Sequence, residues 1–119
     1  MSIQATGELL DVCVLSALAR GDTYGYSLTQ TVRETLDVSE STLYPVMRRL
    51  QSDDCLTVYD APHSGRNRRY YKITDRGLER FRAILDEWRV FKKKIDTFLE
   101  SDNPNSSEFP ELSLGGAEQ

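Results

Sequence analysis

Residues 41–50 read STLYPVMRRL, and the two faces of this stretch decide the architecture. Ser39, just ahead of it, is a good N-cap because its hydroxyl can accept one of the orphan N–H groups of a helix start. At about 100° per residue, Leu43, Val46, Met47 and Leu50 share one face, whereas Ser41, Pro45, Arg48 and Ser52 point the other way, flanked by Tyr44 and Arg49. The first face suits a core. The second is basic, hydroxylated and aromatic. Pro45, in the second turn, is the least helix-friendly residue and implies a local distortion that the helix tolerates.

Upstream, ELLDVCVLSALA (8–19) distributes Leu9, Val12, Cys13, Leu15, Ser16 and Leu18 around an almost wholly apolar helix that stops at Gly21. GDTYGYSLTQTVRETL (21–36) then offers Asp22 or Thr23 as an N-cap, with Tyr24, Leu28, Val32 and Leu36 as the buried stripe of a second helix. Only Asp37 and Val38 separate it from the third. Downstream, LTVYDA (56–61) and RYYKI (69–73) are β-like runs joined by residues 62–68, a hairpin with a basic tip. Thr74 caps a helix over 75–100, in which Leu78, Phe81, Leu85, Trp88, Phe91, Ile95 and Leu99 recur at intervals of three and four. Residues 101–119, with two prolines, two glycines, four serines and four acids, read as a flexible acidic tail. The expected fold class is therefore mainly α with a small β-hairpin: a winged helix-turn-helix over 1–74 and a long C-terminal dimerisation helix over 75–100.

A chain of 119 residues accommodates one ordinary domain and an arm. No apolar run approaches the roughly 18 residues of a membrane span. The N-terminal stretch has no basic leader and carries Glu8 and Asp11, so the expected location is the cytoplasm, with no membrane partner. Cys13 and Cys55 have no metal-ligand spacing and are read as reduced thiols, with a redox switch as the sharper alternative. His63 is a lone imidazole near the hairpin tip, read as an exposed loop residue. There is no glycine-rich phosphate loop, metal constellation or triad signature, so the chain is read as a non-enzyme without cofactor, metal or catalytic residues.

A formal net charge of −4 argues against a nucleic-acid partner until its distribution is considered. All 15 basic residues lie before position 95, and four of the 19 acids lie in the tail, which leaves residues 1–100 neutral. Arg48, Arg49, Arg66, Arg68, Arg69 and Lys72 face only Asp53, Asp54 and Asp60 within their stretch. DNA responds to such local fields. In a winged helix-turn-helix the third helix enters a major groove about 12 Å wide. Ser41, Thr42, Tyr44, Arg48 and Arg49 would meet bases and phosphates there, and Arg66, Asn67 and Arg68 a neighbouring minor groove or backbone. The same fold without DNA, as a protein-interaction module, is the competing class, and it has no need for basic residues at both places.

Three stretches, GDTYGYSLTQTV (21–32), STLYPVMRRL (41–50) and RRYYKITDRG (68–77), resemble the PadR family of bacterial repressors, over about residues 5–100. The resemblance implies a dimeric repressor of the smaller subgroup with one C-terminal helix, and DNA contacts at Ser41, Thr42, Tyr44, Arg48 and the wing arginines. Asp54 departs from the pattern, since relatives often place glycine after the third helix.

Dimerisation also follows from size. A helix of about 26 residues is roughly 39 Å long, whereas a domain of about 74 residues has a radius of gyration near 11 Å. Phe91, Ile95, Phe98 and Leu99 at the far end would need a second chain to cover them. A two-fold dimer implies a double-stranded, pseudo-palindromic operator with half-sites about 34 Å apart or a multiple of that. On the same helix, Phe81, Leu85, Trp88 and Lys92 share a stripe that is either dimer core or one wall of a slot for a planar aromatic effector. Some PadR-like repressors bind phenolic acids or multidrug compounds between subunits, and by that resemblance Val12 and Ser16 would line the same cleft.

Overall fold

The computed structural model describes residues 7–100. In chain order these form α1 (Gly7–Ala19), β1 (Thr23–Tyr24), α2 (Gly25–Leu36), α3 (Glu40–Ser52), β2 (Leu56–His63), β3 (Arg66–Ile73) and α4 (Asp75–Leu99). The strands make an antiparallel sheet in the order β1-β3-β2. The chain divides into two compact units, one up to Leu85 and one from Asp86 onward. The expected acidic tail, 101–119, lies outside the described residues. Among the described residues, no helix is long and apolar enough to cross a membrane.

The core of the first unit follows from helical periodicity. Leu10, Val14, Leu15 and Leu18 of α1 meet Leu28 and Val32 of α2 and Leu43, Val46, Met47 and Leu50 of α3, with Cys55 and Leu56 closing the end. Each fully buried leucine contributes about 1.5–3 kcal/mol through removal from water. The α3 face expected to be inward is therefore the buried one. Ser39 caps α3 by accepting from the Thr42 amide at 3.2 Å.

The α3 end shows how the chain turns without glycine. Asp53 closes the helix, and Asp54 adopts φ 61°, in the left-handed region that aspartate tolerates better than most residues. The Cys55 amide reaches back to the Leu50 carbonyl at 2.8 Å, which satisfies an acceptor the helix end would otherwise orphan. Asp37 ends α2 in the same manner, at φ 58°.

Three expectations need correction. Thr23 and Tyr24 are not the start of α2. They pair with Tyr71 and Tyr70 as a short third strand, and Tyr24 takes the N-cap position with no side-chain cap. Asp22 does not cap either, because its carboxylate accepts a hydrogen bond from the Tyr59 hydroxyl at 2.6 Å. The hairpin loop expected over 62–68 is only Ser64-Gly65, with φ 54° and 80°. Positive φ at both central residues gives a turn whose twist matches that of the flanking strands, so pairing continues to His63 and Arg66. Pro62 is tolerated because β2 is an edge strand.

Candidate nucleic-acid interface

The outward face of α3 carries Ser41, Thr42, Tyr44, Pro45 and Arg48, all exposed. The Ser39 hydroxyl lies 2.9 Å from that of Ser41 and 3.0 Å from that of Thr42, a cluster of hydroxyls beside the positive end of the helix. Pro45 has no N–H to give the Ser41 carbonyl, which leaves that acceptor on the same face. Arg48 has no ion-pair or hydrogen-bond partner among the described residues. An exposed guanidinium on a helix face with five free donors suits phosphate or guanine.

The pleat of the wing sorts its side chains. Tyr59, His63, Arg66, Arg68 and Tyr70 alternate onto one face, and Leu56, Val58, Asn67, Arg69, Tyr71 and Ile73 onto the other, which reaches the core. On the first face Tyr59 stacks on Tyr70 at 5.5 Å, Tyr24 meets Tyr70 edge-on at 5.9 Å, and the Arg68 guanidinium lies 4.7 Å above the Tyr24 ring. His63 belongs to this cluster, 5.3 Å from Tyr24, and remains exposed as expected. Arg68 is thus half-buried, while Arg66 and Asn67 at the tip are exposed. The Tyr59 hydroxyl pKa is pushed up, first by its hydrogen bond to Asp22.

Arg49, exposed at the edge of the outward α3 face, carries an ion pair that its neighbour Arg48 lacks among the described residues. Its guanidinium donates to Asp11 of α1, and Arg80 of α4 donates to the other carboxylate oxygen at 2.9 Å. Asp11 is only 1% exposed, so two cations enclose one buried carboxylate. The Arg80 pKa is raised, chiefly by that hydrogen bond. Arg49 is therefore ion-paired, whereas Arg48 beside it has no such partner among the described residues, although both side chains are exposed.

A cavity of about 700 Å³ opens in the first unit and is lined in part by Val12, Ser16, Phe81 and Leu85, four of the six residues expected around an effector. Cys13, Leu28, Val32 and Leu36 contribute further apolar wall. Burial pushes the Cys13 thiol pKa up, and burial likewise leads the rise for Cys55. Trp88 and Lys92 are not among the lining residues. Trp88 is half-buried, and the exposed Lys92 donates to Asp96 at 2.9 Å.

The family model for the transcriptional regulator PadR-like family matches residues 14–83, from the core of α1 into α4. The chain belongs to the PadR-like family of transcriptional regulators. An uncharacterized protein of Lysinibacillus sphaericus is 32% identical to this PadR-like chain over 96 residues, 76% of this chain and 88% of that protein. A solved protein of Streptococcus mutans shares the fold with a TM-score of 0.78 and 32% identity, covering 89% of this chain and all of the other. A PadR family transcription regulator from Clostridium difficile aligns with a TM-score of 0.70, 32% identity and coverage of 76% and 97%. A PadR-like transcriptional regulator from Bacillus cereus gives 0.72, 28% identity and coverage of 78% and 93%. The PadR-like family and the Clostridium difficile and Bacillus cereus neighbours are transcriptional regulators, not enzymes.

Two features of this PadR-like regulator were not legible in its sequence. Asp11 was visible only as the single charge between Glu8 and Arg20 in an otherwise apolar helix, which is a signal for a buried partner. The stacked aromatic face of the wing depended on the short β1, whose two residues carry no period of their own.

Proposed function

We propose that this PadR-like regulator represses transcription by binding a pseudo-palindromic duplex operator as a homodimer. α3 enters the major groove with Ser41, Thr42, Tyr44 and Arg48, and the wing places Arg66, Asn67 and Arg68 on the adjacent minor groove or backbone. The observation that carries this reading is Arg48, exposed on the outward face of the third helix and without a partner among the described residues. Dimerisation through α4 is supported by Val90, Phe91, Ile95 and Leu99, which are 56%, 56%, 38% and 67% exposed on one helix. Such a run of large apolar side chains is costly to leave in water. The protein acts in the cytoplasm, and a small aromatic effector, a phenolic acid or a planar multidrug-type compound, releases it from the operator. Support for the effector comes from the cavity beside Val12, Ser16, Phe81 and Leu85, whose volume falls in the range of small-molecule sites.

The test is a duplex selected by the protein from a random library. Affinity should fall steeply with salt, and Arg48→Ala should cost about 1–3 kcal/mol if the arginine reads guanine. Salt-insensitive or absent duplex binding, with tight binding to a protein instead, would favour an interaction module. For the effector, hydroxycinnamic acids and planar cationic drugs are titrated against the labelled complex. Retention of the duplex across both panels removes ligand release from the reading.

A further inference from the structure

Asp11, Arg49 and Arg80 form a charge cluster that DNA recognition does not use directly but that touches the recognition helix. Arg49 adjoins Arg48 on α3, and its side chain is 45% exposed. Its guanidinium is nevertheless committed to the buried Asp11 carboxylate. Two guanidiniums gathered on one buried carboxylate are favourable only while that anion remains, because removal of its charge leaves two cations facing each other. Of the two, Arg49 sits on the helix that approaches the duplex, and its fork of donors matches a phosphate.

We propose that Asp11 is a positioning residue for DNA recognition: it holds Arg49 against α1, withholds that guanidinium from the phosphate backbone, and so keeps non-specific affinity low relative to operator affinity. This rests on the duplex-binding reading above. Phosphate contacts carry no sequence information, and each one adds about 0.9 to the salt slope. An additional cation at the groove edge therefore strengthens binding to every sequence alike. Holding Arg49 on Asp11 leaves sequence discrimination to the outward face of α3.

The experiment compares the selected duplex with a scrambled duplex of the same composition, between 50 and 200 mM salt, for wild type, Asp11→Asn, Arg49→Gln and the double variant. Asp11→Asn should steepen the slope on scrambled duplex by about 0.9 per subunit, roughly a 3.5-fold larger loss across this range for each added contact. The ratio of selected to scrambled affinity should fall, and the double variant should return the slope to the wild-type value. A purely structural role would lower folded fraction without moving the slope, so an unchanged slope in folded Asp11→Asn overturns the proposal. Arg49→Gln decides independently if Asp11→Asn does not fold. It should leave the wild-type slope unchanged, and a slope shallower by about 0.9 per subunit would show Arg49 on a phosphate and overturn the proposal. Failure of the duplex-binding reading itself is distinct, because wild type would then show no salt-dependent binding.

Discussion

A Cβ at position 77 would lie 2.0 Å from the Cys55 carbonyl oxygen and 2.8 Å from the Ile73 side chain, so only glycine lets the first turn of α4 close onto the end of α3. Thr74 completes that joint. Its hydroxyl donates to the Asp54 carbonyl at 2.6 Å and accepts from the Gly77 amide at 2.9 Å. Gly77→Ala should therefore destabilise the fold by about 1–3 kcal/mol, with a correspondingly lower midpoint in thermal melting. A wild-type midpoint would refute the close approach. Asp54, at φ 61°, gives the opposite case. Asp54→Gly removes a Cβ from a left-handed position and should stabilise by about 0.5–1 kcal/mol, measured by denaturant midpoint at constant slope. The departure from glycine at Asp54 was legible in the sequence, because a turn residue is a local matter. The role of Gly77 was not, since the oxygen it must clear lies 22 residues away.

At the scale of elements, α3 was legible because its four apolar residues and its polar ones fall at helical spacing on opposite faces. The wing was only half legible. Its loop, rich in arginine and punctuated by Pro62 and Gly65, looks irregular in sequence, whereas two positive-φ residues suffice to keep the ladder paired to the tip. The ion pair of Arg49 was not legible for a different reason. A residue at the edge of a helical face can turn either way, and a buried anion on another helix settled its direction. The Tyr59 to Asp22 hydrogen bond ties β2 to the approach of β1, and it makes a testable contribution. Because the folded pKa of Tyr59 is raised, this contribution is present below the ordinary tyrosine value and is lost as pH rises through the folded one. Alkaline titration by tyrosinate absorbance should show late-titrating tyrosines, and Tyr59→Phe should delete one of them. Tyr71, raised chiefly by burial, should persist. An unaltered late phase in Tyr59→Phe would mean that the bond is absent in solution.

For the molecule as a whole, the proposed dimer makes the sharpest demand. Phe91→Glu combined with Ile95→Glu should give a monomer in sedimentation and abolish high-affinity binding to the selected duplex, since each half-site alone offers half the contacts. A variant that stays dimeric would move the interface away from these residues. Selected duplexes should carry two related half-sites about 34 Å apart or a multiple of that.

Pro62 has a consequence for life in a crowded cell. The outer margin of a sheet is where another copy can add a strand and begin a fibril. A proline near the tip of that margin, two residues beyond the charge of Asp60, interrupts the row of amide donors such a strand would need. The hairpin can thus be long enough to hold an aromatic face and still resist being copied by its neighbours.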